Sequence, residues 1–158
     1  MECETISIHR LLDERVKLDL KGKTKEEILR ELLEEISKTE KLKSVDEILK
    51  TLLEREKLAS TGVGRGVAIP HIRTQLVSHP MLVAGLARDG VDFNSADGCP
   101  AKLFFLFLAP QNNCEYTVSF LSMLSRILSE SKILEELEFA KTPGEFKEII
   151  KNAEEKLY

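Results

Sequence analysis

Two short apolar runs near the middle of the chain, residues 82–87 and 102–108, constrain the fold more than any other feature. Both are nearly continuous in hydrophobic side chains, and both are bounded by turn signals. Pro80 and Arg88-Asp89-Gly90 flank the first; Gly98-Cys99-Pro100 and Ala109-Pro110 flank the second. A strand that is apolar on both sides must be covered on both sides. The covering layers are legible before and after it. Thr24 with Glu27 forms a capping-box pair, followed at helical spacing by Ile28, Leu29, Leu32, Leu33 and Ile36. Ser44 with Glu47 repeats the signature ahead of Val45, Ile48, Leu49, Leu52 and Leu53, predicting a helix to about Glu56 with Arg55 and Lys57 in its last turn.

Beyond Pro110 a helix is expected after a cap at Asn112 or Asn113, with Val118, Leu121, Leu124, Ser125 and Leu128 on one face. A shorter helix over residues 134–140 follows. Thr142-Pro143-Gly144-Glu145 then opens a last helix that turns Phe146, Ile149 and Ile150 inward. Residues 1–22 allow a turn of helix and a short strand, and Val91 with Phe93 reads as a brief strand returning from Gly90 as a hairpin. The order of elements predicts an α/β (α+β) fold, a single mixed β-sheet sandwiched between helices, as one domain over residues 1–158.

Composition narrows the function classes. With 158 residues, 42% hydrophobic and 32% charged, the chain can bury a core. Lys and Arg total 23 against 27 Asp and Glu, for a net charge of −4. These charges are interspersed, so no nucleic-acid partner is expected. The longest apolar stretch falls far short of the roughly 20 residues of a membrane span, and the N-terminus lacks a signal-peptide core, so no membrane insertion and a cytoplasmic location are expected. Cys3, Cys99 and Cys114 lack metal-ligand spacing and suit a reducing compartment.

Only the stretch from Arg55 to His71 departs from what a core or a solvated face requires. It gathers Ser60, Thr61, Gly62, Gly64, Gly66, two further cations and one imidazole. Glycines suit a close backbone approach to a ligand, yet a strained loop between helix and strand explains them equally well. The spacing matches neither a Rossmann fingerprint nor a P-loop. The pattern reads as loop, short strand Val67-Ala68-Ile69, and a stop at Pro70, leaving the His71 ring at a strand's end. A neutral imidazole can attack phosphorus through one ring nitrogen while the other is oriented by a carbonyl or carboxylate. Arg55, the glycine loop, Ser60 and Thr61 are the candidate donors to such a phosphoryl group. Periodicity alone leaves a structural histidine as the simpler reading.

The run Arg55-Glu56-Lys57 through Ser60-Thr61-Gly62-x-Gly64-x-Gly66-x-Ala68-Ile69-Pro70-His71 resembles the active-site signature of enzyme IIA domains of the phosphoenolpyruvate-dependent sugar phosphotransferase system, of the fructose/mannitol and nitrogen-regulatory type. Gly90-Val91-Asp92-Phe93, Asp97-Gly98-x-Pro100 and Leu121-Ser122-Met123-Leu124-Ser125-Arg126 extend the similarity over nearly the whole chain. The resemblance implies that His71 accepts a phosphoryl group from phospho-HPr and passes it to a IIB domain or holds it as a regulatory mark. It also implies that Arg55 pairs with that group and that no metal or organic cofactor takes part.

Two positions depart from the family pattern. Thr117 stands where members commonly have a second histidine, near a helix start expected at Glu115; as a phosphoryl-binding residue it can still donate one hydrogen bond but supplies no titrating cation. Ile72-Arg73 follows His71 where a small residue is usual, and Arg73 either compensates electrostatically or sits exposed. His9 and His79 read as solvated or capping residues. Arg65 reads as a phosphate contact or an exposed loop cation, and Asp92 and Asp97 as turn residues beside glycine. The alternatives to a phosphocarrier are a regulatory module whose partner depends on His71 phosphorylation and an interaction domain without the chemistry. Retention of both Arg55 and His71 argues against the last.

Overall fold

The computed structural model describes residues 6–157. Its elements are, in order, α1 (Ile8–Leu12), β1 (Val16–Lys17), α2 (Lys25–Ser37), α3 (Val45–Leu58), β2 (Gly62–Gly64), β3 (Val67–Ala68), β4 (His71–Thr74), β5 (Met81–Val91), β6 (Ala101–Pro110), α4 (Cys114–Leu128), α5 (Ser131–Glu138) and α6 (Pro143–Glu155). The three helix-start signatures form their caps through the side chain of the first residue. Thr24, Ser44 and Thr142 each accept the backbone N–H three residues on, at 3.2, 3.3 and 3.0 Å. Such caps satisfy helix N–H groups that have no partner within the helix, for about 1 kcal/mol each.

The sheet is mixed and runs β1-β5-β6-β3-β2, with β4 also on β6. The long antiparallel pair of β5 and β6 forms its centre, with Met81 opposite Leu108 and Leu86 opposite Leu103. Alternation along β6 splits the core. Leu103, Phe105, Phe107 and Ala109 pack against α1, α4, α5 and α6, while Phe104, Leu106 and Leu108 pack against α2 and α3. All seven are essentially inaccessible, which is why the run shows no polar alternation in sequence.

Pro70 does not stop the strand. Val67 lies parallel to β6 opposite Leu103, and His71 resumes opposite Phe107 in the same register. Proline lacks the N–H for the ladder, but its carbonyl still accepts from Phe107 N at 2.9 Å, so pairing continues across it. His71 therefore begins a strand instead of ending one. The glycine stretch before it is also ordered as strand: β2 and β3 form a small antiparallel hairpin.

Two other expectations are corrected. Val91 ends β5 itself, and no hairpin returns from Gly90. That residue sits at φ 79°, and an irregularity between Leu86 and Val91 absorbs the extra residues without reversing the chain. On α4 the buried stripe is Thr117, Phe120, Leu124, Ile127 and Leu128, and Val118 is 62% exposed. Phe120 claims the core because its ring stacks on Phe107 at 4.0 Å, and this turns Val118 and Ser125 outward. Cys3 lies outside the described residues; Cys99 and Cys114 are free and exposed. Among the described residues no helix is long and apolar enough to cross a membrane.

Phe120→Ala removes one ring of this stack and should cost about 3–5 kcal/mol in a urea-denaturation measurement. A loss below about 1 kcal/mol would show that the α4 face is not packed as described.

Candidate functional site

The start of β4, the last turns of α3 and the first turns of α4 enclose an open depression of about 830 Å³. Thr51, Glu54, Arg55 and Leu58 line it from α3. His71, Ile72 and Arg73 line it from β4, and Gln111, Cys114, Thr117 and Val118 from the α4 side. The structure thus brings together His71, Arg55 and Thr117, which are far apart in sequence.

His71 is half-buried, and its Nδ1 lies 2.7 Å from the Ile69 carbonyl oxygen. A carbonyl only accepts, so Nδ1 carries the proton and donates it, and in the neutral ring Nε2 keeps its lone pair. Burial foremost, then the Arg55 guanidinium, hold the His71 pKa below the ordinary histidine value, against the opposing pull of the Ile69 carbonyl and the Glu56 carboxylate. The ring is therefore neutral near pH 7, as a nucleophile requires.

Arg55 stands in the last turn of α3 and donates from Nη1 to the Ala59 carbonyl at 2.7 Å, which ties down the guanidinium while other N–H donors remain. Arg73 borders the same depression, is exposed, and reaches the Gln111 carbonyl from Nη1 at 3.3 Å. Of the two readings of Arg73, exposure is what the structure shows, on the wall of the His71 depression. Thr117 is buried and donates its hydroxyl hydrogen to the Asn113 carbonyl at 2.8 Å, so in place of the phosphoryl donor expected from the sequence it offers the depression only lone pairs.

Ser60, Thr61, Gly62 and Gly64 do not line this depression. The Ser60 hydroxyl donates to the Phe93 carbonyl and accepts from Gly62 N at 3.0 Å. Thr61 gives its hydroxyl hydrogen and its backbone N–H to the buried carboxylate of Glu56. A Cβ on Gly62 would run into the Ser95 side chain, and Gly64 sits at φ 92° over Asp97. These residues build the hairpin that delivers Ile69 and His71. Glu56, which sequence reasoning passed over, holds that hairpin in place. Its neighbour Arg55 drew attention as a cation, whereas a carboxylate near a helix end looks like any solvated one.

Arg65, at φ 58°, donates from its guanidinium to the carbonyls of Leu128 and Ser129, both at 3.2 Å, and so caps the end of α4. Asp92 accepts from Asn94 N, and Asp97 from the N–H groups of Arg65 and Cys99, which makes both turn residues. His9 contacts the Glu154 carboxylate at 2.6 Å, and His79 contacts Glu40 at 3.2 Å. Among the described residues no group of three or more His, Cys, Asp or Glu side chains is arranged to hold a metal ion.

Comparison with known proteins yields a consistent set. The family model for the phosphoenolpyruvate-dependent sugar phosphotransferase system, EIIA 2, matches residues 10–153. The chain is 38% identical over 124 residues to a fructose-specific EIIA component of Haloferax volcanii, covering 78% of this chain and 80% of that one. It is 36% identical over 122 residues to a fructose-specific EIIABC component of Bacillus subtilis, covering 77% of this chain and about a fifth, 19%, of that longer relative. The crystal structure of nitrogen regulatory protein IIA-Ntr from Neisseria meningitidis superposes with a TM-score of 0.84 at 31% identity, covering 90% of this chain and 98% of the other.

In an NMR titration the His71 ring should protonate below the ordinary histidine midpoint; a midpoint at or above it would contradict the geometry described. The unfolded chain then binds the proton more readily than the folded one between the two pKa values. The His71 contribution to stability is therefore complete above the unfolded-state value and is lost as pH falls toward the folded-state value. His71→Asn should remove that part of the acid slope.

Proposed function

The chain belongs to the phosphoenolpyruvate-dependent sugar phosphotransferase system EIIA 2 family, and on that footing we propose that it is a phosphocarrier whose acceptor atom is Nε2 of His71. The observation that carries this reading is the 2.7 Å hydrogen bond from Nδ1 to the Ile69 carbonyl, at the edge of a depression that also holds Arg55. The bond selects the tautomer with a free Nε2 lone pair, and it costs no reorganisation when phosphorus arrives.

The donor is a phosphohistidine on an HPr-like carrier. The Nε2 lone pair forms the new P–N bond as the donor's P–N bond breaks, and the departing electron pair stays on the donor nitrogen. The proton stays on Nδ1 throughout, hydrogen-bonded to the Ile69 carbonyl. Arg55 faces the charge spread over the phosphoryl oxygens, which needs cationic N–H donors more than covalent help. Leu58, 84% exposed, and Val118, 62% exposed, border the depression and supply an apolar rim that a docked partner covers, excluding water from the P–N bond.

The recipient is a IIB-type domain, a reading supported by the Bacillus relative whose name is an EIIABC component. Thr117 favours a second reading, in which the phosphoryl group is kept as a regulatory mark. Its hydroxyl hydrogen is committed to Asn113, so this wall offers the bound anion no cation. The similarity to nitrogen regulatory proteins points the same way. A phosphoryl group in this depression would turn an apolar and cationic face anionic, enough to change which protein it binds.

Incubation with phosphoenolpyruvate, enzyme I and a cognate HPr should give an acid-labile, base-stable phosphate that is absent from His71→Ala. Arg55→Ala should slow labelling by about 10- to 1,000-fold, as for loss of one preorganised donor. An unlabelled wild type would overturn the phosphocarrier reading, and an unchanged Arg55→Ala rate would remove Arg55 from the step.

A further inference from the structure

We propose that Glu56 is a positioning residue for His71, acting through an unbroken hydrogen-bonded path of Thr61 and Ile69. The inference rests on His71 being the phosphoryl acceptor. The Glu56 carboxylate is buried, 7% exposed, and sits on the inner side of α3 one residue from Arg55. It accepts both the hydroxyl hydrogen and the backbone N–H of Thr61, the latter at 3.2 Å. The Thr61 carbonyl accepts the N–H of Ile69 at 3.0 Å, and the Ile69 carbonyl accepts the Nδ1 proton of His71 at 2.7 Å. The first link is doubled and the other two are direct hydrogen bonds, so the position of the carboxylate bears on the position of the carbonyl that selects the tautomer.

A second set of contacts braces the first. Lys25, at the start of α2, ion-pairs with Glu56 at 3.0 Å and lies 5.0 Å from the centroid of the Phe93 ring. The Phe93 carbonyl accepts the Ser60 hydroxyl, whose oxygen in turn accepts Gly62 N. α2, α3 and the β2–β3 hairpin therefore meet at one carboxylate. An apolar residue there would leave the Thr61 donors and the Lys25 ammonium without their partner.

Glu56 also has an electrostatic part. Attack through Nε2 with the proton kept on Nδ1 places positive charge on the ring, and a buried carboxylate nearby stabilises that charge. The other ionisable groups around the ring are Arg55 and Glu54 from α3, Arg73 on β4 and Cys114 on α4, with Lys25 behind Glu56. Glu56 raises the His71 pKa while burial and Arg55 lower it. Removing Glu56 and removing Lys25 should thus push His71 in opposite directions, which a scaffold-only role does not require.

The test compares Glu56→Gln, Glu56→Asp and Lys25→Met in the full chain. The readouts are the His71 tautomer and titration midpoint from ring ¹H–¹⁵N spectra, and the rate of labelling by phospho-HPr. Glu56→Gln should lower the midpoint, raise the share of the Nε2–H tautomer and slow labelling about 10- to 100-fold at saturating donor, with little change in KM. Glu56→Asp should recover part of each effect, and Lys25→Met should raise the midpoint. An unchanged tautomer and rate in Glu56→Gln, or midpoints moving the same way in Glu56→Gln and Lys25→Met, would overturn the proposal. If Glu56→Gln does not fold, opposite midpoint shifts in Glu56→Asp and Lys25→Met support the proposal, and shifts of one sign overturn it. The tautomer and midpoint need no phosphoryl donor, so failure of wild-type labelling would count against the phosphocarrier reading and leave the positioning path to be decided by the spectra.

Discussion

The bond between the Ile69 carbonyl and Nδ1 of His71 decides what this site can do. It exists because Pro70 interrupts a strand without diverting it. The lack of an N–H at Pro70 frees the chain from one rung of the β6 ladder, and the constant register on either side returns His71 to the sheet opposite Phe107. The ring then turns back to the carbonyl two residues before it. The hydrogen bond orients the imidazole and leaves the Nε2 lone pair without the proton.

The depression pairs this imidazole with two guanidinium groups. Arg55 and Arg73 border it, while Thr117 contributes a hydroxyl that has already given its hydrogen away. Protonation of His71 decides whether its Nε2 keeps a lone pair. Burial favours the neutral ring, the form that the proposed attack through Nε2 needs. Once an anion sits on Nε2, Arg55 and the Ile69 carbonyl favour opposite ends of the same dipolar ring.

Much of the fold was legible because its signals are local. The pairs Thr24–Glu27, Ser44–Glu47 and Thr142–Glu145 specify helix starts through contacts three residues long, and the structure keeps all three. The doubly apolar run of β6 called for a helix layer on each face, and its residues divide between two packed faces. Arg55, His71 and Thr117 were each picked out, and they converge on one depression. What escaped depends on partners distant in sequence. Val118 looked inward until Phe120 stacked on Phe107. Pro70 read as a stop because the parallel partner that carries the strand past it lies on β6. Ser60 and Thr61 looked like phosphate donors because free hydroxyls beside glycines match that pattern. Their acceptors, the Phe93 carbonyl and the Glu56 carboxylate, become visible only when the hairpin is folded.

The most direct measurement is ¹⁵N and ³¹P NMR of the phosphorylated, histidine-labelled protein. Phosphorus bonded to Nε2 of His71, with Nδ1 still carrying its proton, is the result predicted. Phosphorus on Nδ1, or on any residue other than His71, would contradict the role given to the Ile69 carbonyl and with it the mechanism built on that bond.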